Sequence, residues 1–129
     1  MARLIVIDAS VAIAALAADD IHHSAAAAAI SSASDDEIVI SATTRAEVLI
    51  GPARTGGNAL AIARDFLDAC VTVPVAAQLA DDAALLRARH RALSLPDAIS
   101  LVLADVIGAD EIWTFDKRWQ TVHPRVRVP

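Results

Sequence analysis

The sequence predicts an α/β fold: a parallel sheet of about five strands covered by helices on both faces. Two observations predict it. Short β-branched runs recur along the chain, and longer alanine- and leucine-rich segments separate them. Strands that alternate with helices in this way build parallel sheets. No internal repeat and no domain-splitting linker interrupts the pattern, so residues 1–129 read as a single domain of ordinary size.

The elements follow in order. Leu4–Asp8 is a short, β-branched, buried strand. Ser10 is placed to cap a helix running to about Ala18. A second helix covers Ser24–Ser32, its alanine run serving as low-complexity filler. Ile38–Ser41 is the second strand, and a helix follows it to about Ile50, where Gly51-Pro52 is expected to stop it. Gly56-Gly57-Asn58 marks a loop, and Asn58 begins an amphipathic helix to about Cys70. Val71–Val75 is the third strand and Ala76–Leu93 a long helix. Pro96 precedes the helix Asp97–Ile107, which Gly108 ends in the usual position after a helix. Glu111–Thr114 is the fourth strand and Val126–Val128 a short terminal one.

Composition narrows the function. The hydrophobic fraction of 56% is ample for a core, although much of it is alanine. The uncharged stretch 9–18 is bounded by Asp8 and Asp19 and falls well short of the roughly 20 residues that a membrane span needs. Arg3, the apolar run and Ala15-Leu16-Ala17 loosely imitate a signal peptide, but Asp8 interrupts the hydrophobic segment. The single Cys70 rules out an internal disulfide, fits a reducing cytosol and reads as a small buried residue. A net charge of −5 argues against coating nucleic acid by bulk electrostatics, and aromatics at 3% argue against a broad base-stacking platform.

Four acids carry the chemistry. Asp8 ends the first strand, Glu47 lies early in a helix, Asp97 opens another helix after Pro96, and Asp116 closes the fourth strand segment. Ligands of parallel sheets bind beyond the carboxyl ends of the strands, at a topological switch point. There all four acids can surround one point. Two like charges roughly 4 Å apart repel by about 4 kcal/mol at an effective dielectric of about 20. A cation therefore belongs among them, and a hard divalent ion suits carboxylate oxygens. Ser10 and Thr114 are hydroxyls beside two of these acids, able to orient a carboxylate or a metal-bound water.

Each acid also has a purely structural explanation. Asp8 can cap a helix; Thr44-Arg45-Ala46-Glu47 matches a capping box; Asp97 suits a helix dipole; Asp116 can stabilise a turn. Asp105, two turns beyond Asp97, is a peripheral candidate. Arg87 and Arg91 share a helical face and, with Lys117 and Arg118, form a candidate substrate rim whose plainer reading is a solvated surface. His22, His23, His90 and His123 have no ligand spacing, which disfavours zinc.

Taken together, these pieces resemble the PIN-domain ribonucleases, and among them the small VapC-type toxins of bacterial toxin–antitoxin pairs. The pieces are Leu4-Ile5-Val6-Ile7-Asp8-Ala9-Ser10, Arg45-Ala46-Glu47-Val48, Leu95-Pro96-Asp97-Ala98 and Trp113-Thr114-Phe115-Asp116-Lys117-Arg118-Trp119. The likeness covers essentially the whole chain, and Trp119 stands where the family usually carries Phe. The resemblance implies a three-layer α/β/α fold and Mg²⁺- or Mn²⁺-dependent endonuclease activity on RNA. It assigns Asp8, Glu47, Asp97 and Asp116 to one or two metals, with Ser10 and Thr114 assisting. It also implies a homodimer and a VapB-like antitoxin whose C-terminal segment covers the active site. The alanine-rich helices before residue 33 and around Glu47 are the candidate groove for that segment. Two rival functions are a PIN-like domain that binds RNA or protein without cleaving, and a receiver-type phospho-acceptor domain. The receiver would want an acidic pair at the first strand end, where this chain offers Asp8 alone. A haloacid-dehalogenase phosphatase would want a second Asp where this chain has Ser10.

Overall fold

The computed structural model describes residues 2–129. Its five strands are β1 (Leu4–Ile7), β2 (Glu37–Ser41), β3 (Val71–Val73), β4 (Glu111–Trp113) and β5 (Val126–Arg127). Six helices accompany them: α1 (Ala9–Leu16), α2 (His23–Ser32), α3 (Ala42–Thr55), α4 (Asn58–Asp68), α5 (Ala77–Arg89) and α6 (Leu95–Ile107). A 3₁₀ helix, Lys117–Thr121, joins β4 to β5. The strands form one sheet in the order β3-β2-β1-β4-β5, and every pairing is parallel.

The period-two alternation of β1 divides the core. Val6 packs with α5, α6, Ile112 and Trp119 on one face of the sheet. Ile5 and Ile7 pack with α1 to α4 and Trp113 on the other. These layers are the α/β/α arrangement expected from the alternating pattern. Among the described residues no helix is long and apolar enough to cross a membrane.

Several element boundaries differ from expectation, each for a local reason. α3 runs through Gly51 and Pro52 and ends at Gly56, whose φ of 74° leaves the helical region. Pro52 forfeits the bond its missing N–H would donate to Val48 O and crowds that carbonyl, yet only one further turn of helix follows it. α3 starts directly after β2, as expected, and Ser41 caps it by accepting from Thr44 N at 3.0 Å. Thr44 and Glu47 therefore do not form a capping box.

Likewise Asp8, not Ser10, is the N-cap of α1. The expected long helix 76–93 ends at Arg89, and Ser94 starts α6 through a capping box with Asp97. Arg91 consequently lies in the intervening turn and shares no helical face with Arg87. Because α6 follows α5, Asp97 is not on a helix entered from a strand.

The sheet order positions the site. The order in which strands are added reverses between β1 and β4, with β2 and β3 on one side and β4 and β5 on the other, and this is the switch point where parallel sheets leave a crevice. Asp8 N donates to Trp113 O at 3.1 Å, so the carboxyl ends of these two strands are locked side by side.

Candidate active site

At that edge a cavity of about 320 Å³ is lined by Asp8, Glu47, Asp97 and Asp116, together with Ser10, Thr44 and Ser100. β1 delivers Asp8, the second turn of α3 delivers Glu47, the first turn of α6 delivers Asp97, and the segment after β4 delivers Asp116.

Asp8 is 7% exposed, and its carboxylate is held from three directions. Oδ1 accepts from the Ser10 hydroxyl at 2.6 Å and from Val11 N at 3.1 Å. Oδ2 accepts from the Thr114 hydroxyl at 2.6 Å. The two hydroxyls are themselves fixed: Ser10 Oγ accepts from Phe115 N at 3.2 Å and Thr114 Oγ1 from Asp116 N at 3.0 Å. The helix-capping role of Asp8 is thus real, and it leaves one edge of the carboxylate in the cavity wall.

The electrostatics of the four acids differ. Burial raises the pKa of Asp8, the Ser10, Thr114 and Val11 hydrogen bonds pull it back, and the charge of Asp97 adds to the rise. The Glu47 carboxyl is likewise pushed up, first by burial and then by the charges of Asp97 and Asp8. Asp116 goes the other way. Arg118 grips it through Nε to Oδ1 at 2.9 Å and Nη2 to Oδ2 at 2.6 Å, holding its carboxyl below the usual range. Asp97 accepts from Ser94 N at 3.2 Å through Oδ2.

The structure gathers the four acids around one cavity but not around a single point. They line one cavity, yet among the described residues no three acids are already gathered as a metal cage. Asp97 gives one oxygen to its capping box, whereas Arg118 pairs with both oxygens of Asp116. The donor chemistry nevertheless fits a hard divalent ion: every ionisable group lining the cavity is a carboxylate, and two have pKa values raised first by burial and then by neighbouring carboxylate charge.

The other candidates are elsewhere. Asp105 accepts from His123 at 2.7 Å and Arg125 at 3.1 Å, away from the cavity. Of the expected rim, Arg118 reaches the site through Asp116, whereas Arg87, Arg91 and Lys117 do not line the cavity. Sequence reasoning missed Thr44 and Ser100, whose hydroxyls meet at 3.3 Å between α3 and α6. A spacing signal existed. Thr44 precedes Glu47 by three residues and Ser100 follows Asp97 by three, so each hydroxyl shares a helical face with an acid.

Residues 5–123 match the family model described as the PIN domain. The chain belongs to the PIN domain family. The receiver reading falls with that assignment.

Solved structures with the same PIN fold include Mycobacterium tuberculosis VapC20, described as a Sarcin-Ricin loop cleaving toxin. The two share 22% identity and a TM-score of 0.79, over 92% of this chain and 94% of that one. A toxin–antitoxin complex from Klebsiella pneumoniae shares 23% identity and a TM-score of 0.79, over 96% of each chain. DNA-bound VapBC from Salmonella typhimurium shares 18% identity and a TM-score of 0.71, over 100% of this chain and 98% of that one. A search of curated proteins finds no match.

Proposed function

We propose that this PIN domain is a Mg²⁺- or Mn²⁺-dependent endoribonuclease acting as the toxin of a toxin–antitoxin pair. The observation that carries the reading is the Asp8 carboxylate, buried and held by three donors in a cavity shared with Glu47, Asp97 and Asp116. A fold needs one cap at the start of α1; it does not need three further acids around it at an electrostatic cost.

In this reading Asp8 and Asp97 are the central metal ligands, and Glu47 and Asp116 position water or a second ion. When bound, the metal supplies Lewis acidity and makes its bound water a competent nucleophile near neutral pH. Ser10 and Thr114 fix the rotamer of Asp8, so its free edge is pre-oriented before any ligand arrives. Glu47 is suited to hold a proton from the attacking water, because burial and its neighbours have already raised its affinity for one. The single-stranded loops of RNA are the natural substrate class, since their splayed backbone can reach a recessed acid site.

The partner expected is a VapB-like antitoxin. An apolar groove of about 270 Å³ supports it, lined by Ile13 and Leu16 of α1, Val48, Gly51 and Pro52 of α3, and Ala59 of α4. Ile13 also lines the acid cavity, so a segment lying in the groove leads directly to the site. The continuation of α3 through Gly51 and Pro52 shapes the groove, because this extra helical turn forms one of its walls.

For the expected homodimer, α5 carries a self-complementary stripe of Asp82, Leu85, Leu86 and Arg89. In an antiparallel two-fold pairing, Asp82 of one copy faces Arg89 of the other and the leucines meet between them. Leu85 is 63% exposed and neighbouring Val106 67% in the single chain.

The deciding experiment is cleavage of single-stranded RNA with and without Mg²⁺ or Mn²⁺, comparing the natural chain with Asp8→Asn. Asparagine keeps the shape and the cap but loses the charge, so cleavage should disappear while the fold persists. Metal-dependent cleavage by the variant would sink the assignment, and RNA binding without cleavage by the natural chain would favour a non-cleaving PIN domain.

A further inference from the structure

The aromatic-poor composition disfavours a broad base-stacking platform, yet the fold stacks one exposed imidazole on a phenyl ring carried by the segment that delivers Asp116. The rings of His22 and Phe115 stack with centroids 4.1 Å apart and planes 8° from parallel. Phe115 lies between Thr114 and Asp116, and its backbone N–H donates to the Ser10 hydroxyl that holds Asp8. The backbone of Phe115 is therefore one residue from Asp116 and is joined to Asp8 through the Ser10 hydroxyl. Phe115 is half-buried against the α1–α4 side of the core, while His22 remains exposed.

The loop bearing His22 is not loose. His22 N donates to Asp20 Oδ1 at 2.8 Å, and the His23 ring bonds Ala14 O at 2.8 Å, tying the loop back to α1. The backbone on both sides of His22 is thus anchored, the imidazole lies flat on Phe115, and the residue is exposed to solvent.

We propose that His22, backed by Phe115, is a nucleobase-stacking residue that receives an unpaired base next to the scissile phosphate. The proposal rests on the nuclease reading above and adds a contact to the base, where the acids act on the backbone. Planar rings stack on any base, so the contact positions a strand without selecting its sequence. It also favours single-stranded over paired RNA, because only an unstacked base can reach the imidazole.

The test uses the full chain carrying Asp8→Asn, so that RNA is not consumed, and a single-stranded oligoribonucleotide containing 2-aminopurine. Stacking quenches that base. Binding should quench its fluorescence; adding His22→Ala should remove most of the quench and weaken binding roughly ten-fold. Adding His22→Phe instead should restore both. Loss of quench in the Phe variant with retention in His22→Lys would overturn stacking in favour of a charge contact to phosphate. Equal quench in the Ala variant would reduce the stack to a loop anchor, and the absence of any RNA binding would overturn the proposal outright. In the natural Asp8 background, His22→Ala should raise KM with kcat held. If Asp8→Asn abolishes cleavage but His22→Ala leaves KM unmoved, the nuclease reading stands and only the stacking proposal fails.

Discussion

The Thr114 hydroxyl donates to Asp8 Oδ2 at 2.6 Å across 106 residues of sequence. With Asp8 N to Trp113 O, this bond joins the ends of β1 and β4 at the switch point. Its oxygen also accepts from Asp116 N, so one buried hydroxyl fixes two of the four acids.

Replacing Thr114 with Val keeps the shape and removes both bonds. Since Thr114 is fully buried, the orphaned Asp8 oxygen and Asp116 N–H should cost about 1–3 kcal/mol of stability. The pKa of Asp8 should rise further, because one of the bonds that lowers it is gone. Urea unfolding and the carboxyl chemical shift of Asp8 measure the two effects. An unchanged shift would show that Thr114 does not act on the Asp8 charge.

Glu47 yields a pH signature. Its folded pKa is raised above the ordinary 4.5, so the natural chain is favoured at low pH and loses stability as pH rises through the folded value. Glu47→Gln removes that loss. The metal-free variant should match the natural chain below about pH 4.5 and exceed it progressively above. Divalent metal should reverse the order at neutral pH, since the natural carboxylate then has a cation to meet. Thermal melts across pH, with and without Mg²⁺, test this; parallel curves would contradict it.

Arg118 competes with any metal for Asp116. Arg118→Gln should tighten Mg²⁺ or Mn²⁺ binding, read by isothermal titration, because the carboxylate is released from its 2.6 Å partner. The Arg118 side chain is 66% exposed, so the pair should contribute at most about 1 kcal/mol to stability. Weaker metal binding in the variant would instead make Arg118 a necessary organiser of Asp116.

Trp119 is fully buried, and its indole N–H has no hydrogen-bond partner among the described residues. Trp119→Phe removes the orphan donor and leaves a gap where the larger ring sat. An unsatisfied donor costs about 1–3 kcal/mol and lost core volume acts in the opposite direction. The melting temperature of this variant should therefore move by only a few degrees, roughly within 1 kcal/mol, while Trp119→Ala should lose about 3–5 kcal/mol. A large loss on Trp119→Phe would show that ring volume outweighs the buried N–H.

The fold was legible because its signals are local. Leu4–Ile7 and Ile38–Ser41 are β-branched runs whose burial on both faces leaves no polar alternation to confuse them. Helix ends were less legible. Gly51-Pro52 carries a stop signal, but α3 continues for one more turn past the proline, accepting the loss of the bond to Val48 O close to its end. Ser94 and Asp97 began a new helix where an apolar pattern ran on, because a capping box satisfies the free N–H groups that continuity would have paired.

By itself the sequence determined the alternating architecture and the four acids at element ends, since strand period, helix period and charge are properties of neighbouring residues. Only the tertiary structure decided what those acids do to one another. The pairing of Ile7 with Trp113 brings Thr114 to Asp8, Arg118 takes Asp116, and Ser94 takes Asp97. It also stacks His22 on Phe115. Distance and burial set these couplings, and two residues a hundred positions apart acquire both only when the sheet closes between them.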